Sequence, residues 1–378
     1  MLDVARKPLR LSKLVVTDVR NLATLSLEPA AAVNVISGNN GVGKTTILEA
    51  IYFAATSRSF RTSRLHELVR HGHAGAGVRA RFTEEWPSGP LHREQAATIV
   101  GKKRTLRLDE EEPSSVADYA MRSPVVLFEP TQLALTAGPA SERRTLLDRV
   151  TFYTEPSVVG HRARHARAMK ERSRLLMDRT RLEHRPELDA FESILAEHGA
   201  AITAARARAV AALAPAVLDA FERIAAHGLA LDLSYVPGGS ADANVLRERL
   251  FASRRTDAQT RRASVGPQCD ELLLTLDGHP ARVVASQGQH RAMTLALKSA
   301  ELAVVGAARG VHPLLLLDDV SSELDAERTA ALFSLLSMTE SQLFLTTTRR
   351  ELIVTEVGSR SERRDFELQG GAVRELAS

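Results

Sequence analysis

Alternating apolar and polar positions in the first third of the chain predict β-strands, because side chains of a strand point to opposite faces in turn. The pattern covers residues 9–37, 77–83 and 97–108. A turn is expected near Asp18 to Asn21, a loop from Pro87 to Pro90, and an acidic turn over residues 109–113. We therefore expect an antiparallel β layer here.

From residue 141 to residue 227 the apolar spacing changes to that of helices. Pro186 and Pro215 are expected to divide this stretch into three helices, since proline breaks a helix interior. Strands are again predicted over residues 229–235 and 271–277. The region contains too few sustained heptads for a long coiled coil.

A short apolar strand, residues 32–37, leads into a glycine-rich loop that matches G-x-x-x-x-G-K-[ST], and a helical pattern follows. In this setting the backbone N–H groups close around phosphate oxygens. Lys44 is expected to reach the β- and γ-phosphates, and the Thr45 hydroxyl to hold Mg²⁺. ATP and Mg²⁺ are thus the predicted ligands. The candidate nucleotide-binding residues are Gly38, Asn39, Asn40, Gly41, Val42, Gly43, Lys44, Thr45 and Thr46.

Four leucines, residues 314–317, end in Asp318 and Asp319. A buried strand with carboxylates at its C-terminal edge lies where open α/β sheets bind ligands. Asp318 is the expected partner of Mg²⁺, together with Thr45, and Asp319 is expected to orient or deprotonate the attacking water. Lys44, Asp318 and Asp319 are the candidate catalytic residues.

The segment Ser286-Gln287-Gly288-Gln289-His290-Arg291 opens a helix with a broad apolar stripe. Ser286 is a good N-cap residue, and a polar loop at a helix N-terminus can bind an anion. In isolation this is an ordinary capped helix. About thirty residues later comes the acidic strand, in a chain that already has a phosphate loop, and this position favours a nucleotide-binding role for Ser286, Gly288 and Gln289.

The order of these segments resembles the ABC-type ATPase heads, with Walker A, signature, Walker B and a D-loop at Ser322-Glu323-Leu324-Asp325. Within that superfamily the chain looks most like the RecF family, over about residues 9–350. The resemblance is carried by GNNGVGKTTILEAIYFAATSRSFRT (38–62), VLFEP (126–130), GP with RR and LD (138–148), SQGQHR (286–291), LLLLDDVSSELD (314–325) and FLTTT (344–348).

The resemblance implies an α/β fold, an ABC-type ATPase head with a mixed-sheet P-loop core, an antiparallel β layer and a mainly helical second lobe. Lobe I would comprise residues 1–135 and 300–378, and lobe II residues 136–299. In such heads the signature of one subunit caps the γ-phosphate held by the other. An ATP-dependent homodimer is therefore expected, with Asp325 among its nucleotide contacts.

By the same resemblance, the chain would bind DNA at junctions of single and double strands during recombinational repair and replication restart. It would act with RecO and RecR in loading RecA, as a weak, DNA-stimulated ATPase that works as a switch. Asp319 stands where transporter ATPases have Glu, and residues 346–348 are threonines where they have a His. Both differences suggest slow hydrolysis.

Some positions depart from the family or leave a role open. The family's Gly-Pro-His-Arg-Asp-Asp reads Gly-Pro-Gln-Cys-Asp-Glu over residues 266–271, which replaces two basic side chains by Gln268 and Cys269. Its Phe-Arg-Asn reads Val-Arg-Asn over residues 19–21. Whether Gln132 serves as the Q-loop glutamine stays open.

Basic residues are concentrated in the helical region. The chain carries a net charge of +4, and residues 161–185 hold nine Arg and Lys against three acids. Basic helix faces bind phosphate backbones, so Arg164, Arg167, Arg172 and Arg174 are candidate DNA contacts; a solvated face is the alternative. Aromatic residues make up only 4% of the chain, which disfavours base stacking and favours backbone contact with duplex or with a junction of duplex and single strand.

The start of the chain lacks the apolar core of a signal peptide, and the single cysteine fits a reducing compartment. No membrane partner is expected. The protein is expected to be cytoplasmic and associated with the nucleoid. Two other functions remain open. One is a P-loop enzyme acting on a small substrate, and the other is a partner-dependent defence or repair ATPase with the same head.

Overall fold

A computed structural model describes residues 7–86, 88–129, 134–178, 182, 185–225, 228–319, 340–350 and 362–376. The chain divides into two compact units. Unit 1 comprises Met1–Gln132 and Val305–Ser378, and unit 2 comprises Leu133–Val304. These limits differ by a few residues from the lobe boundaries drawn from the sequence.

The elements are numbered in chain order. The strands are β1 (Lys7–Val19), β2 (Leu22–Leu27), β3 (Val33–Ser37), β4 (Gly75–Trp86), β5 (Gly89–Val100), β6 (Lys103–Leu108), β7 (Val125–Phe128), β8 (Leu231–Val236), β9 (Glu271–Leu276), β10 (His279–Pro280), β11 (Val311–His312), β12 (Leu314–Leu317), β13 (Leu343–Thr347), β14 (Arg363–Gln369) and β15 (Ala372–Leu376). The helices are α1 (Lys44–Thr56), α2 (Val116–Met121), α3 (Ala134–Ala137), α4 (Ala140–Thr154), α5 (Val158–Leu175), α6 (Pro186–Ile224), α7 (Ala243–Thr260), α8 (Ala281–Val284) and α9 (Gln287–Arg309).

The first sheet of unit 1 is the antiparallel layer that the alternating pattern predicts. Its order is β11-β1-β4-β5-β6, with β2 also paired to β1, and only the short β11 runs parallel to its neighbour. Residues 97–108, where strand structure is expected, form the end of β5 and the whole of β6, because Gly101 (φ 58°) turns the chain between them. The inward residues of this layer pack on α1 in one apolar core.

The second sheet of unit 1 is mixed and has the order β15-β14-β3-β13-β12-β7. The strands from β14 to β7 run parallel, and β15 is antiparallel to β14. Since parallel strands end at one edge, the loop after β3 and the aspartates after β12 meet there. The expected mixed P-loop core with an antiparallel layer is confirmed.

Unit 2 is mainly helical and carries a small antiparallel sheet, β10-β9-β8. The break expected at Pro186 is confirmed, because Pro186 is the first residue of α6. The break expected at Pro215 is wrong, since α6 continues through it to Ile224. Proline removes one backbone bond, but the ring lies on the exposed side, while Leu213 and Val217 are fully buried and hold both flanking turns in the core.

Among the described residues, α6 is the one helix whose length and apolar composition would suffice to cross a membrane. A long core helix has the same properties. The side chains of Leu188, Leu195 and Leu213 are completely buried within unit 2, as in a core helix.

Candidate nucleotide site

Three glycines with left-handed backbone shape the loop between β3 and α1. Gly38 has φ 148°, Gly41 has φ 80° and Gly43 has φ 113°. A Cβ atom on Gly43 would lie 2.5 Å from the Asn21 Nδ2 atom, and one on Gly38 would lie 2.6 Å from the Leu368 carbonyl oxygen. Larger residues would therefore distort the loop at these two positions.

Lys44 folds back onto this loop. Its Nζ donates to the carbonyl oxygens of Gly38 at 2.8 Å and of Asn39 at 3.0 Å. Burial lowers the pKa of Lys44, while the negative charges of Asp319 and Asp318 act in the opposite direction. A partly desolvated ammonium group in this position is suited to bind a phosphate anion.

Thr45 and Asp318 are 273 residues apart in sequence and meet at the end of the sheet. The Thr45 hydroxyl donates to Asp318 Oδ1 at 2.9 Å, and the Thr346 hydroxyl donates to the same oxygen at 2.7 Å. A hydroxyl and a carboxylate are the hard oxygen ligands that Mg²⁺ prefers. The donor set therefore fits Mg²⁺, which Thr45 and Asp318 would hold.

Asp319 has a left-handed backbone, with φ 44°. Its N–H donates to the Thr346 hydroxyl at 2.8 Å. Thr346 thus fixes both aspartates at the end of β12, a role that was not recognised from the sequence. A polar residue at the end of the neighbouring parallel strand was the available signal.

Asn21 is a second residue that sequence reasoning missed. Its Nδ2 donates to the Val42 carbonyl oxygen at 2.7 Å, and its Oδ1 accepts from the Thr46 hydroxyl at 3.1 Å. It thereby braces the loop against the first turn of α1. Its neighbour Arg20 makes a two-point ion pair with the buried Glu49 of α1, at 2.6 and 2.8 Å.

The predicted N-cap at Ser286 is confirmed in unit 2. The Gln289 N–H donates to Ser286 Oγ at 3.2 Å, and the Ser286 N–H donates to Gln289 Oε1 at 2.7 Å. This reciprocal pair is a capping box. Ser286 is exposed, and Gly288 and Gln289 are half-buried. Gln132 and Asp325 lie outside the described residues.

The four arginines proposed for DNA contact are not equivalent. Arg164, Arg167 and Arg174 are exposed on α5, and Arg174 pairs with Glu171. Arg172 is 1% exposed, and its guanidinium bonds Glu192 at 2.9 Å and Asp257 at 2.7 Å. The assignment of Arg172 as a DNA contact is therefore wrong, because the side chain is a buried ionic link between α5, α6 and α7.

The altered Gly-Pro-Gln-Cys-Asp-Glu segment keeps a polar anchor. Asp270 is fully buried and accepts from Arg206 at 2.7 Å, from the Tyr235 hydroxyl at 2.5 Å and from the Gly238 N–H at 2.9 Å. Cys269, at a position where a family arginine is replaced, is exposed. The buried anchor is thus kept although the two preceding side chains are replaced.

Comparisons with known proteins agree with this geometry. Residues 10–360 match the family model "RecF/RecN/SMC N terminal domain". The DNA replication and repair protein RecF of Myxococcus xanthus (strain DK1622) is 40% identical, and the match covers 91% of this chain and 92% of that protein. RecF of Anaeromyxobacter sp. (strain Fw109-5) is also 40% identical, with 98% and 100% covered.

Solved structures give the same result. The recombination mediator protein RecF with ATP, of the RecFOR pathway, superimposes with a TM-score of 0.86, at 26% identity and with all of both chains covered. An Smc head domain from Pyrococcus furiosus, at 15% identity and a TM-score of 0.56 over 97% of this chain and 96% of that chain, shares the fold. The chain therefore belongs to the RecF family of DNA replication and repair proteins.

Proposed function

We propose that this chain is an ATP-controlled DNA-binding protein of recombinational repair, whose homodimer closes on DNA when ATP is bound and reopens after slow hydrolysis. The observation that carries the proposal is the meeting of Lys44, Thr45 and Asp318 in unit 1. These residues supply a phosphate-binding cation and a pair of oxygen ligands. The names of the 40%-identical relatives support the role in replication and repair.

Each residue of the site has a role in binding. The N–H groups of the glycine loop and the Lys44 ammonium would hold the β- and γ-phosphates, and Asn21 would keep the loop in shape. Mg²⁺ held by Thr45 and Asp318 would neutralise the charge of the phosphate oxygens. A solved relative is described as RecF with ATP, which supports the same ligand here.

Hydrolysis depends on Asp319 in this proposal. Its Oδ atoms would orient the attacking water and accept a proton from it, while Thr346 holds its backbone N–H. Aspartate is one methylene shorter than the glutamate used by transporter ATPases. Weak catalysis follows, and it suits a switch that stays closed on DNA for some time.

The exposed capping box at Ser286 would act in trans. In the dimer, Ser286 and Gly288 of one subunit would cap the γ-phosphate bound by the other, with Gln289 holding the loop in shape. Asp325 would contribute from the D-loop. The ATP bound at each site would thus bridge both subunits.

The exposed residues Arg164, Arg167 and Arg174 would contact the DNA backbone at gaps or junctions. RecO and RecR would be the partners in loading RecA. The description of the solved relatives as belonging to the RecFOR pathway supports this placement.

Light scattering on the Asp319→Asn protein tests the proposal. Without nucleotide we expect a monomer, with ATP a dimer, and with ATP plus gapped duplex a dimer bound to DNA. A protein that stays monomeric in all three conditions would contradict the proposed dimer.

Two further changes in the Asp319→Asn background separate the roles. Lys44→Met should remove ATP binding and the dimer together. Ser286→Arg should keep ATP binding but block the dimer, because the added bulk and charge fall where the partner's phosphate would lie. Loss of nucleotide binding in Ser286→Arg would mean that Ser286 does not act in trans.

A further inference from the structure

Unit 1 contains a basic cavity beside α1. It has a volume of about 530 Å³ and lies between the segment that follows α1 and strand β6. Its polar lining is supplied by Arg58, Ser59, Arg61, Thr62, Ser63 and Arg104. No Asp or Glu lines it, so arginines and hydroxyls are the polar groups that a ligand would meet.

The arginines of this basic cavity differ in their partners. Arg61 lies 3.5 Å from the buried Glu49 carboxylate, so part of its charge is compensated. Among the residues that the structure describes, neither Arg58 nor Arg104 forms an ion pair with a carboxylate. The Arg104 guanidinium is held in place by the Ser57 carbonyl oxygen at 2.8 Å. Burial lowers the pKa of Arg104, and the nearby positive charge of Arg58 lowers it further. Two cations thus face one space, and an anion bound there would relieve their repulsion.

The wall of the basic cavity is ordered before any ligand binds. The Ser59 hydroxyl donates to Glu49 at 2.5 Å and accepts from the N–H groups of Arg61 and Thr62 at 3.0 and 3.1 Å. Glu49 is fully buried and is also held by Arg20. The loop that presents Arg58 and Arg61 is therefore anchored to the middle of α1, which reduces the entropy lost on binding.

The ligand is an anion rather than a stacked base. Phe60 also lines the cavity, but its ring packs edge-on against Tyr52, with 5.6 Å between the centroids. Hydroxyl groups and guanidinium groups are the usual donors to backbone phosphates. The cavity is larger than one phosphate requires, so the adjoining sugar also fits.

We propose that the basic cavity of Arg58, Arg61 and Arg104 binds a phosphate of the DNA backbone. This contact belongs to unit 1 and is additional to the arginines of α5. It rests on the proposed function, since it takes DNA as the ligand of the protein. None of the residues lining the cavity belongs to the loop of residues 38–46, and ATP has its own lysine there.

The test compares Arg58→Glu with Arg64→Glu, both in the Asp319→Asn background with ATP. Both arginines are exposed and lie on the same segment, but Arg64 does not line the cavity. Anisotropy of a labelled gapped duplex is measured between about 50 and 200 mM salt. Arg58→Glu should bind roughly tenfold more weakly, with a salt slope smaller by about 1, and Arg64→Glu should stay close to the parent. Arg104→Gln should behave like Arg58→Glu if its thermal unfolding matches that of the parent.

Each other outcome overturns the proposal in a recognisable way. Equal effects of Arg58→Glu and Arg64→Glu would mean that only the general charge matters. Loss of ATP affinity in Arg58→Glu would make the cavity part of the nucleotide site. Binding of inorganic phosphate that is lost in Arg58→Glu, with duplex affinity equal to that of the parent, would indicate a free-anion site. If the parent protein itself does not bind DNA, the proposed function fails as well.

Discussion

At the residue scale, Asn21 and Gly43 form an interdependent pair in the phosphate loop. The Asn21 side chain occupies the space into which a side chain on Gly43 would project, and it uses that position to bond Val42 and Thr46. The loop therefore owes its shape to a residue outside the motif.

The change Asn21→Ala should weaken ATP binding roughly tenfold, because two hydrogen bonds worth about 1 kcal/mol each are lost at the loop. Binding of a fluorescent ATP analogue measures this effect, and thermal unfolding should change little. The matched control is Asn21→Asp, which can keep the bond from Thr46 but not the one to Val42. An unchanged affinity in Asn21→Ala would show that the loop holds its shape alone.

Arg172 has a structural role, so the change Arg172→Gln should destabilise the protein by about 3–5 kcal/mol. The reason is that the buried Asp257 carboxylate would lose the guanidinium that bonds it at 2.7 Å, and Glu192 would lose one of its two arginine partners, Arg172 and Arg254. Urea unfolding gives the free energy, with Arg164→Gln as the control from the same helix. Arg172→Gln protein that is as stable as the control would refute this role.

These residues show what the sequence can and cannot reveal. Lys44, Thr45 and Asp318 were predicted because the chemistry of a phosphate loop is carried by a short, fixed spacing. Arg172 was wrongly assigned as a DNA contact because a count of charges does not show which side of a helix is buried. Its partners Glu192 and Asp257 lie on two other helices, and only the packed structure brings them together.

At the scale of elements, strand and helix types were largely predictable, while their ends and interruptions were less so. The period of the apolar residues predicted the β layer and the helical unit. The helix break predicted at Pro215 was wrong because burial of the turns on either side of the proline holds α6 together. Local propensity loses to tertiary packing in such cases.

The helices α5 and α6 of unit 2 should make stability depend on pH. Burial lowers the pKa of His165 to about 4 from 6.5, and the positive charge of Arg206 and the neighbouring His198 add to this. Because the folded pKa is below the unfolded one, the stability is complete above about pH 6.5 and is lost as the pH falls towards 4.

Up to about 3 kcal/mol should be lost over this range. Urea unfolding at about pH 7 and about pH 5 measures the loss, and His165→Gln should reduce it. Glu301 does not add to this loss. Burial raises the pKa of Glu301, but the positive charges of Arg149 and Lys298 outweigh that effect and hold the pKa at about 2. The contribution of Glu301 to stability is therefore lost only at lower pH. An equal loss in His165→Gln and the parent would show that other groups cause it.

At the scale of the whole molecule, unit 1 is built from two distant parts of the chain. Strand β3, which carries the phosphate loop, is bonded on one side to β13 and on the other to β14. Both neighbours are far from β3 in sequence, and both follow the Walker A and Walker B motifs.

A chain that ends at Gln342 should therefore bind no ATP, although it contains Lys44, Thr45 and Asp318. It lacks both neighbours of β3, so the loop has no sheet to support it. A chain that ends at Gly370 is the control, since it loses only the edge strand β15 and should keep binding. Nucleotide binding by the shorter chain would show that β3 needs neither neighbour.

This arrangement also sets an order of events during synthesis. The whole of unit 2 is synthesised before β13 and β14. About 300 residues are therefore added after β3 before the strands that cover its edges exist. An apolar strand with unpaired edges is prone to aggregation until its partner strands have been made. The emerging chain thus completes the sheet around its nucleotide-binding loop only after β13 and β14 have been made.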